Sequence, residues 1–284
     1  MPSPPSSRRN SSGLARDVEI LDLLAEAGEQ GLGVVRIAQL LGRDKAAMSR
    51  ALATLADAGL IDRDSRQLSY RLGSRLYAIA ARTQEASLDH RARPILRSMV
   101  HALRETAHLC VLRAGNVLTL ASEPSPRMVG TAPWTGMVAA AWRTPSGRAL
   151  LSDWDRSSVD EWYAVHGRDA ALVDQAPPGD AGVFGVLEEP TPTTRVVHDL
   201  PSLHTELTRI RQRGYATSDE ELEHGVVAAS APVRDAAGTI VAALNVSAPK
   251  SRLGGRLDEL GSHVAAYAHT LTVELGAPGR PADQ

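Results

Sequence analysis

The sequence predicts an α+β protein of two domains, in which an N-terminal winged helix-turn-helix is joined by a linker helix to a C-terminal domain with an antiparallel sheet. The chain has 284 residues, a comfortable length for two domains. Its first part shows the hydrophobic spacing of helices and ends in a hairpin pattern. From His108 onward, short apolar runs alternate with turns, as is typical of strands.

The composition is that of an ordinary globular protein, with 43% hydrophobic and 23% charged residues. No stretch reaches 18 apolar residues, so no membrane-spanning helix is expected. Residues 1–13 are polar and rich in Pro and Ser, which predicts a disordered tail rather than a secretory signal. Cys110 is the single cysteine, which excludes an intrachain disulfide and suits the reducing cytoplasm. The net charge of -2 means that any nucleic acid must be bound through a local basic patch.

The winged helix-turn-helix is predicted over residues 14–73. A first helix carries its apolar residues at helical spacing from Asp17 onward. A second is expected over residues 34–41, and a third begins after Asp44, a good N-cap, and ends at Gly59. Residues 60–72 then read as strand, polar turn and strand, with the turn over 62–67. Three short helices followed by a hairpin describe this fold.

A long helical pattern joins the two domains. Residues 74–90 are predicted to form the linker helix, and Pro94 is expected to separate it from the first helix of the second domain. That second domain is assigned to residues 91–276, with a disordered tail over 277–284.

Within the second domain, the first feature expected is a hairpin around residues 114–116. A possible strand in MVAAAW and a helix over 146–152 follow, and residues 165–185 read as a loop. The helix PSLHTELTRIRQRG, strands around a turn at 235–238 and a last helix over about 253–275 complete the α+β pattern.

The third helix has the character of a DNA-reading helix. Polar and basic residues fall on its outward side near the N-terminus, while Met48, Leu52 and Leu55 form an apolar stripe behind them. The outward residues are Arg43, Lys45, Ser49 and Arg50, and the wing adds Arg63 and Arg66. The alternative is that these are solvated faces of a small helical bundle, since Asp57, Asp62 and Asp64 dilute the positive charge.

Two stretches together resemble the IclR family of bacterial transcriptional regulators. The N-terminal stretch is LGRDKAAMSRALATLADAGLIDRDSRQLSYRLGSRL, and the C-terminal match combines TPSGRALL with RGYATSDEELEHGVVAASAPVRDAAGTIVAALNVSAP. The resemblance runs from about Leu14 to Leu275. It implies a homodimer or homotetramer that binds a pseudo-palindromic operator on double-stranded DNA through its helix-turn-helix. It also implies a GAF-like effector-binding domain that binds a small-molecule effector.

The resemblance places the third helix in the major groove and the wing beside it. The residues implied to contact DNA are Arg43, Asp44, Lys45, Ala46, Ala47, Ser49, Arg50, Arg63 and Arg66. The family typically has Ser-Thr after the lysine, whereas here Ala46 and Ala47 follow Lys45. Two hydroxyls that could bond phosphate or bases are absent, so base readout is expected to use apolar contact with a thymine methyl group.

The resemblance also implies an effector pocket in the second domain. Carried over, its lining comprises Thr144, Pro145, Ser146, Ser218, Asp219, Val226, Ala228, Asn245 and Ser247, with Cys110 and Met137 as core or pocket residues. Small and hydroxylic residues near a helix N-terminus suit a carboxylate. Trp142 and Arg143 depart from the family pattern, and together they would form an aromatic wall beside a cation for a planar anionic effector. Equally, Trp142 could be a core residue and Arg143 a surface residue.

Catalysis is the weaker hypothesis. The cluster from Asp219 to His224 has no recognised metal-ligand spacing, no nucleophile elbow or phosphate-binding loop is present, and the pair of His108 and Cys110 lacks a third group. We therefore expect no cofactor, no metal and no enzyme activity. The favoured hypothesis is a repressor of a neighbouring catabolic gene cluster that a small aromatic or carboxylate effector releases or retunes. The alternative is a small-molecule-binding enzyme or sensor that does not bind DNA.

Overall fold

The computed structural model describes residues 13–172 and 196–277, which fall into two compact units divided between Ser87 and Leu88. The predicted tails therefore lie outside the described residues, apart from Gly13, which begins the first helix, and Ala277, which is buried. The part of the predicted loop 165–185 beyond residue 172 is likewise not described. Among the helices that are described, none combines the length and the apolar character that a membrane span requires.

The N-terminal unit contains a three-helix core with a small antiparallel sheet. Its helices are α1 (Gly13–Ala27), α2 (Val34–Leu40) and α3 (Lys45–Asp57), and its strands are β1 (Leu32–Gly33), β2 (Ile61–Asp64) and β3 (Ser69–Leu72), in the order β1-β3-β2. The apolar stripe predicted on α3 is buried against Ile20, Leu24 and Ile37. Burial of these side chains, each worth roughly 1.5–3 kcal/mol, is what holds the three helices together.

Two local devices set the ends of the third helix and the wing. The Asp44 carboxylate accepts the backbone N–H of Ala47 at 2.9 Å, which confirms Asp44 as the N-cap of α3. In the wing, β2 continues through Asp64, three residues beyond the predicted strand end at Ile61. The reason is that the Asp64 carboxylate accepts the backbone N–H groups of Arg66 and Gln67, which confines the turn to the residues after it.

The helical connection is interrupted earlier than Pro94. It consists of α4 (Ser74–Ala80) and α5 (Gln84–Leu103), and α5 continues through Pro94. The Thr83 hydroxyl accepts the backbone N–H of Ala86 at 3.2 Å, so Thr83 caps the start of a new helix. Pro94 removes one N–H donor, but Leu96 and Met99 just beyond it are buried in the core, and this packing outweighs the lost hydrogen bond.

The C-terminal unit is built on a six-stranded antiparallel sheet in the order β6-β5-β4-β9-β8-β7. Its strands are β4 (Thr106–Arg113), β5 (Asn116–Glu123), β6 (Val138–Ala139), β7 (Ala216–Asp219), β8 (Val226–Arg234) and β9 (Ile240–Pro249). Its further helices are α6 (Pro145–Leu150), α7 (Arg156–His166), α8 (Leu200–Arg213), α9 (Lys250–Leu253) and α10 (Leu257–Glu274). The hairpin predicted around residues 114–116 is confirmed as the β4–β5 turn.

Two predicted elements differ from the structure. MVAAAW contributes only the two residues of β6, and a 3-10 turn over Ala141–Arg143 then leads into α6. The last helix is divided, because a 3-10 turn over Gly254–Arg256 separates α9 from α10.

Alternation along the central strands gives the sheet two different faces. On one face, residues such as Leu109 and Leu244 pack with α5 and α10 in a large apolar core. The opposite face carries His108 and Asn245, which pair directly across β4 and β9. Side chains at successive strand positions point to opposite faces, so these buried polar groups gather on the face that α6 covers.

Candidate DNA-binding surface and ligand pocket

The outward face of α3 is exposed as the sequence predicted. Lys45, Ala46, Ser49 and Arg50 are exposed, while Ala47 is half-buried and packs against the core with the apolar stripe. The N-terminal turns of α3 therefore present two basic side chains, a hydroxyl and a methyl group to solvent. This combination can donate to phosphate and base edges and can contact a thymine methyl.

Arg43 sits on the turn before α3 and is already engaged. Its guanidinium lies 3.3 Å from the carboxylate of Glu19 on α1. Both side chains are substantially exposed, so the pair is weak and screened by salt. A DNA phosphate could compete for this guanidinium, which makes the pair compatible with a contact to the backbone of the duplex.

The wing holds its two arginines differently. The Arg63 guanidinium lies 5.9 Å from the centre of the Tyr70 ring, a cation–π contact that orients it along the sheet. Arg66 is exposed in the turn that Asp64 closes. Backbone hydrogen bonds from Gln67 and Arg66 hold the pKa of Asp64 below its usual range, so this carboxylate stays charged beside the arginines.

A pocket lies between the polar face of the sheet and the start of α6. It encloses about 650 Å³ of empty space, including open solvent at its mouth. Strands, the β5–β6 connection, α6 and the β7–β8 loop all contribute to the lining, which is formed by His108, Cys110, Val117, Thr119, Thr131, Trp134, Ala139, Thr144, Pro145, Ser146, Ser218, Leu222, Glu223, Val226, Ala228, Asn245 and Ser247.

Most of the residues carried over from the family resemblance meet in this pocket. Those that line it are Cys110, Thr144, Pro145, Ser146, Ser218, Val226, Ala228, Asn245 and Ser247. Four predicted residues lie outside the lining. Asp219 forms an ion pair with Lys250 at 2.8 Å, and Met137 lies in the β5–β6 connection, where its carbonyl accepts the backbone N–H of Thr119.

The other two predicted residues outside the lining are Trp142 and Arg143. The expectation that they form an aromatic wall beside a cation in the pocket was therefore wrong. Trp142 is 5% exposed and packs in the second apolar core, edge-on to Tyr163 with ring centres 6.5 Å apart. The Arg143 guanidinium lies 4.8 Å from the centre of the Trp142 ring, so the two side chains contact each other rather than the pocket. Among the described lining residues, the tryptophan is Trp134, in the β5–β6 connection. Tertiary packing, which adjacency in sequence does not reveal, decides which tryptophan faces the pocket.

His108 anchors a network of hydroxyl groups at the pocket wall. Its two ring nitrogens lie 2.9 Å from the hydroxyls of Ser122 and Ser247. The Ser247 hydroxyl lies 2.7 Å from that of Thr131, and the Ser122 hydroxyl accepts the backbone N–H of Trp134 at 2.9 Å. The network therefore ties the β5–β6 connection, with its pocket-lining Thr131 and Trp134, to the sheet. Burial lowers the pKa of His108 to about 4, so the imidazole is neutral.

The buried imidazole predicts a specific dependence of stability on pH. The unfolded chain binds a proton at His108 with a pKa near 6.5, whereas the folded protein does so only near 4. Between these values the unfolded state binds more protons, so the free energy of unfolding falls as pH is lowered from about 6.5 to about 4, by up to about 1.4 kcal/mol per pH unit. Urea denaturation at a series of pH values measures this slope. In His108→Gln, the free energy of unfolding should lose this additional dependence on pH between about 6.5 and about 4. If the dependence is the same as in wild type, groups other than His108 cause it.

Cys110 is a packing residue of the lining rather than a reactive thiol. Burial raises the pKa of its thiol to about 11, although hydrogen bonds with Ser146 and Thr119 oppose the shift. At neutral pH the thiol is therefore protonated and a poor nucleophile.

A buried ion pair supports the loop at the pocket mouth. The Arg148 side chain on α6 is 0% exposed and donates to both carboxylate oxygens of Glu221, at 3.3 and 3.0 Å. Glu221 also accepts the backbone N–H of Val196 at 3.2 Å. The acidic cluster of the sequence is thus divided among separate roles, because Asp219 and Glu220 pair with Lys250 while Glu223 lines the pocket.

The sequence interpretation missed part of the lining. His108 was considered only as a catalytic residue, and the members not predicted at all were Val117, Thr119, Thr131, Trp134, Ala139, Leu222 and Glu223. Period-two alternation could have found Thr119 and His108, since each shares a strand face with a predicted residue or its cross-strand partner. Nothing in the sequence indicates that Thr131 and Trp134 fold back over the sheet.

Comparisons with known proteins agree on one family for both units. Residues 13–65 match the family model described as IclR helix-turn-helix domain. Residues 185–273 match the model described as bacterial transcriptional regulator IclR C-terminal.

Individual relatives span nearly the whole chain. The HTH-type transcriptional regulator BhcR of Paracoccus denitrificans is 29% identical over 95% of this chain and 89% of its own length. The Pca regulon regulatory protein of Pseudomonas putida is 27% identical over 85% of this chain and 76% of its own. A solved structure of an IclR homolog from Microbacterium hydrocarbonoxydans, complexed with 4-hydroxybenzoate, is 20% identical with a TM-score of 0.67 and covers 93% of this chain and all (100%) of its own. At this identity the structural likeness indicates a shared fold.

Proposed function

This chain belongs to the IclR family of bacterial transcriptional regulators, and from that premise we propose that it represses a neighbouring catabolic gene cluster until a small effector fills its C-terminal pocket. It is a regulator with a helix-turn-helix DNA-binding domain. The proposal adds a pseudo-palindromic operator, a homodimer or homotetramer as the binding species, and the cytoplasm as its location. The relatives are transcriptional regulators rather than enzymes, and we extend that non-enzymatic role to this chain.

The observation that carries DNA binding is the division of α3 into two faces. Met48, Leu52 and Leu55 are buried, whereas Lys45, Ser49 and Arg50 are exposed on the first turns. A recognition helix reads the major groove with its N-terminal residues in this way. In a dimer each contact occurs twice, so the two half-sites double the contribution of every residue on this face.

The observation that supports an effector is the pocket itself. Its lining joins apolar walls and Trp134 to several hydroxyl groups, which suits a small aromatic or carboxylate compound. The bound 4-hydroxybenzoate of the Microbacterium homolog supports the same class of ligand. Such an effector can act only through a difference in affinity between the DNA-binding and released states. A change in the spacing of paired recognition helices is sufficient, since both must dock on their half-sites together.

Fluorescence anisotropy with a labelled duplex from the protein's own upstream region tests the DNA-binding role. We expect affinity to fall steeply with salt, because phosphate contacts release counterions. Arg50→Ala should weaken binding by about tenfold or more, since a base or phosphate contact is worth about 1–3 kcal/mol. The matched control is Arg209→Ala, which removes an exposed arginine on α8 and should leave the Kd for DNA unchanged. No binding at low salt would favour a small-molecule-binding enzyme or sensor instead. Equal affinities for wild type and Arg50→Ala would contradict the role assigned to the exposed face of α3.

A further inference from the structure

We propose that Asn245 determines effector specificity by selecting a molecule that directs a hydroxyl group at the floor of the pocket. The inference rests on the proposed function only in assuming that this pocket binds the effector. It concerns the chemistry of the ligand: the group that meets Asn245 is a hydrogen-bond donor.

The Asn245 side-chain oxygen is buried and has no hydrogen-bond partner among the described residues. Asn245 is 8% exposed and lines the pocket. The side-chain oxygen Oδ1 is fully buried, and no donor among the described residues reaches it. Buried carbonyl oxygens in folded proteins are nearly always hydrogen-bonded, because an unpaired one has lost its water without replacement. An unpaired oxygen at a pocket wall therefore indicates a partner that arrives with the ligand.

The neighbours of Asn245 on the same face cannot supply the donor. In the strand register Asn245 lies opposite His108 on β4 and opposite Ser230 on β8. Both ring nitrogens of His108 already meet the hydroxyls of Ser122 and Ser247. The Ser230 hydroxyl donates its only hydrogen to the carbonyl of Leu244 at 2.8 Å. The ring nitrogens of His108 and the hydroxyl hydrogen of Ser230 are thus engaged elsewhere, while the Asn245 acceptor stays open.

The charges of the lining favour a donor as well. The described lining residues include no lysine or arginine, and their one carboxyl group is that of Glu223. Burial raises the pKa of Glu223, so this half-buried group adds either a negative charge or a neutral carboxyl to the mouth. His108 is neutral and contributes no positive charge. Among the described lining residues, therefore, no cation donates to Asn245 Oδ1, and a hydroxyl hydrogen of the ligand is its natural partner.

The first experiment measures stability without any ligand. Asn245→Leu replaces the amide with an apolar group of similar shape, and it removes a buried acceptor that has no partner. We expect its melting temperature to be equal to that of wild type or higher by a few degrees. Ser230→Ala is the matched control, because it removes a buried hydroxyl on the same sheet face that does have a partner, the backbone carbonyl of Leu244. The melting temperature of this variant should fall. A clearly lower melting temperature for Asn245→Leu would mean that the amide has a structural partner, and it would overturn the inference.

The second experiment measures binding of compounds that differ by one hydroxyl. The probes are 4-hydroxybenzoate against benzoate and 2-hydroxypropionate against propionate, titrated calorimetrically into the full chain. We expect at least one hydroxylated probe to bind about tenfold tighter than its partner, since the analogue leaves the acceptor unpaired. In Asn245→Leu the ratio should fall to about one, with the affinity for the analogue retained.

Two results contradict the inference. One is a hydroxyl preference that survives in Asn245→Leu, and the other is the absence of binding by both hydroxylated probes. Operator binding, measured by anisotropy with the same preparations, separates these outcomes from a failure of the proposed function. If the operator is bound and the hydroxyl preference does not depend on Asn245, the inference falls alone. If neither operator nor probe is bound, both fall.

Discussion

Replacing Arg148 with alanine is expected to lower the free energy of unfolding by about 3–5 kcal/mol, because it leaves the buried Glu221 carboxylate without its cation. Both side chains lie within 3% of full burial, so water cannot take the place of the guanidinium. The Arg148 guanidinium also donates to the carbonyls of Thr217 and Arg143, which would lose their partner. For a unit of this size the change corresponds to a drop of about 10 °C in melting temperature.

The double variant Arg148→Met with Glu221→Met distinguishes the ion pair from simple loss of packing. Removing both charges eliminates the desolvation cost, so the double variant should be more stable than Arg148→Ala. Urea denaturation of the full chain measures both. Arg256→Ala breaks an exposed ion pair with Glu259 and should leave stability nearly unchanged, as the control for loss of an arginine. A double variant no more stable than Arg148→Ala would show that packing, and not the uncompensated charge, dominates.

Gly147→Ala is expected to destabilise the C-terminal unit by about 3 kcal/mol or more, because there is no space for a methyl group at this position of α6. A Cβ atom on Gly147 would meet the backbone of Ala141, with the carbonyl oxygen at 2.1 Å and the Cα at 2.3 Å. Backbone cannot move aside as a flexible side chain does. The 3-10 turn over Ala141–Arg143 and the start of α6 would have to separate, and Thr144, which caps α6 and lines the pocket, lies between them.

The matched control for this substitution is Gly255→Ala. A Cβ atom on Gly255 would meet nothing within 4 Å, and this glycine does not have the positive backbone angle that favours glycine. Comparing the melting temperatures of the two variants separates the clash with the Ala141 backbone from the general effect of replacing a glycine. Equal melting temperatures would contradict the role assigned to Gly147.

Capping residues and hydrophobic spacing predicted a helix correctly where the tertiary packing favours the same ends and the same buried face. The third helix is the clearest case, since the structure agrees with the predicted cap at Asp44 and with the predicted apolar stripe of Met48, Leu52 and Leu55. Both signals depend only on residues in the helix or at its first end. The break expected at Pro94 was wrong, since the buried face of α5 sustains the helix through the proline. That face is buried by strands and by α10, which lie far away in sequence.

The candidate site was predictable only in part. Cys110, Ser146, Asn245 and Ser247 were indicated by the family resemblance and do line one pocket. Trp142 was expected there as well, yet Trp134 is the tryptophan of the lining. Trp134 lies in the β5–β6 connection and Trp142 in a 3-10 turn of three residues, and both segments are too short or irregular for periodicity to assign a direction to the side chain.

By itself, the sequence predicted two domains and the division of the third helix into a buried apolar stripe and an outward basic and polar face. These follow from spacing along the chain, and spacing is a local property. Only the tertiary structure decided that both ring nitrogens of His108 hydrogen-bond to serine hydroxyls and that Arg148 forms an ion pair with Glu221. It also decided that the side-chain oxygen of Asn245 has no hydrogen-bond partner among the described residues. The physical reason is that a hydrogen bond or ion pair depends on distance and burial between segments remote in sequence, which folding brings together.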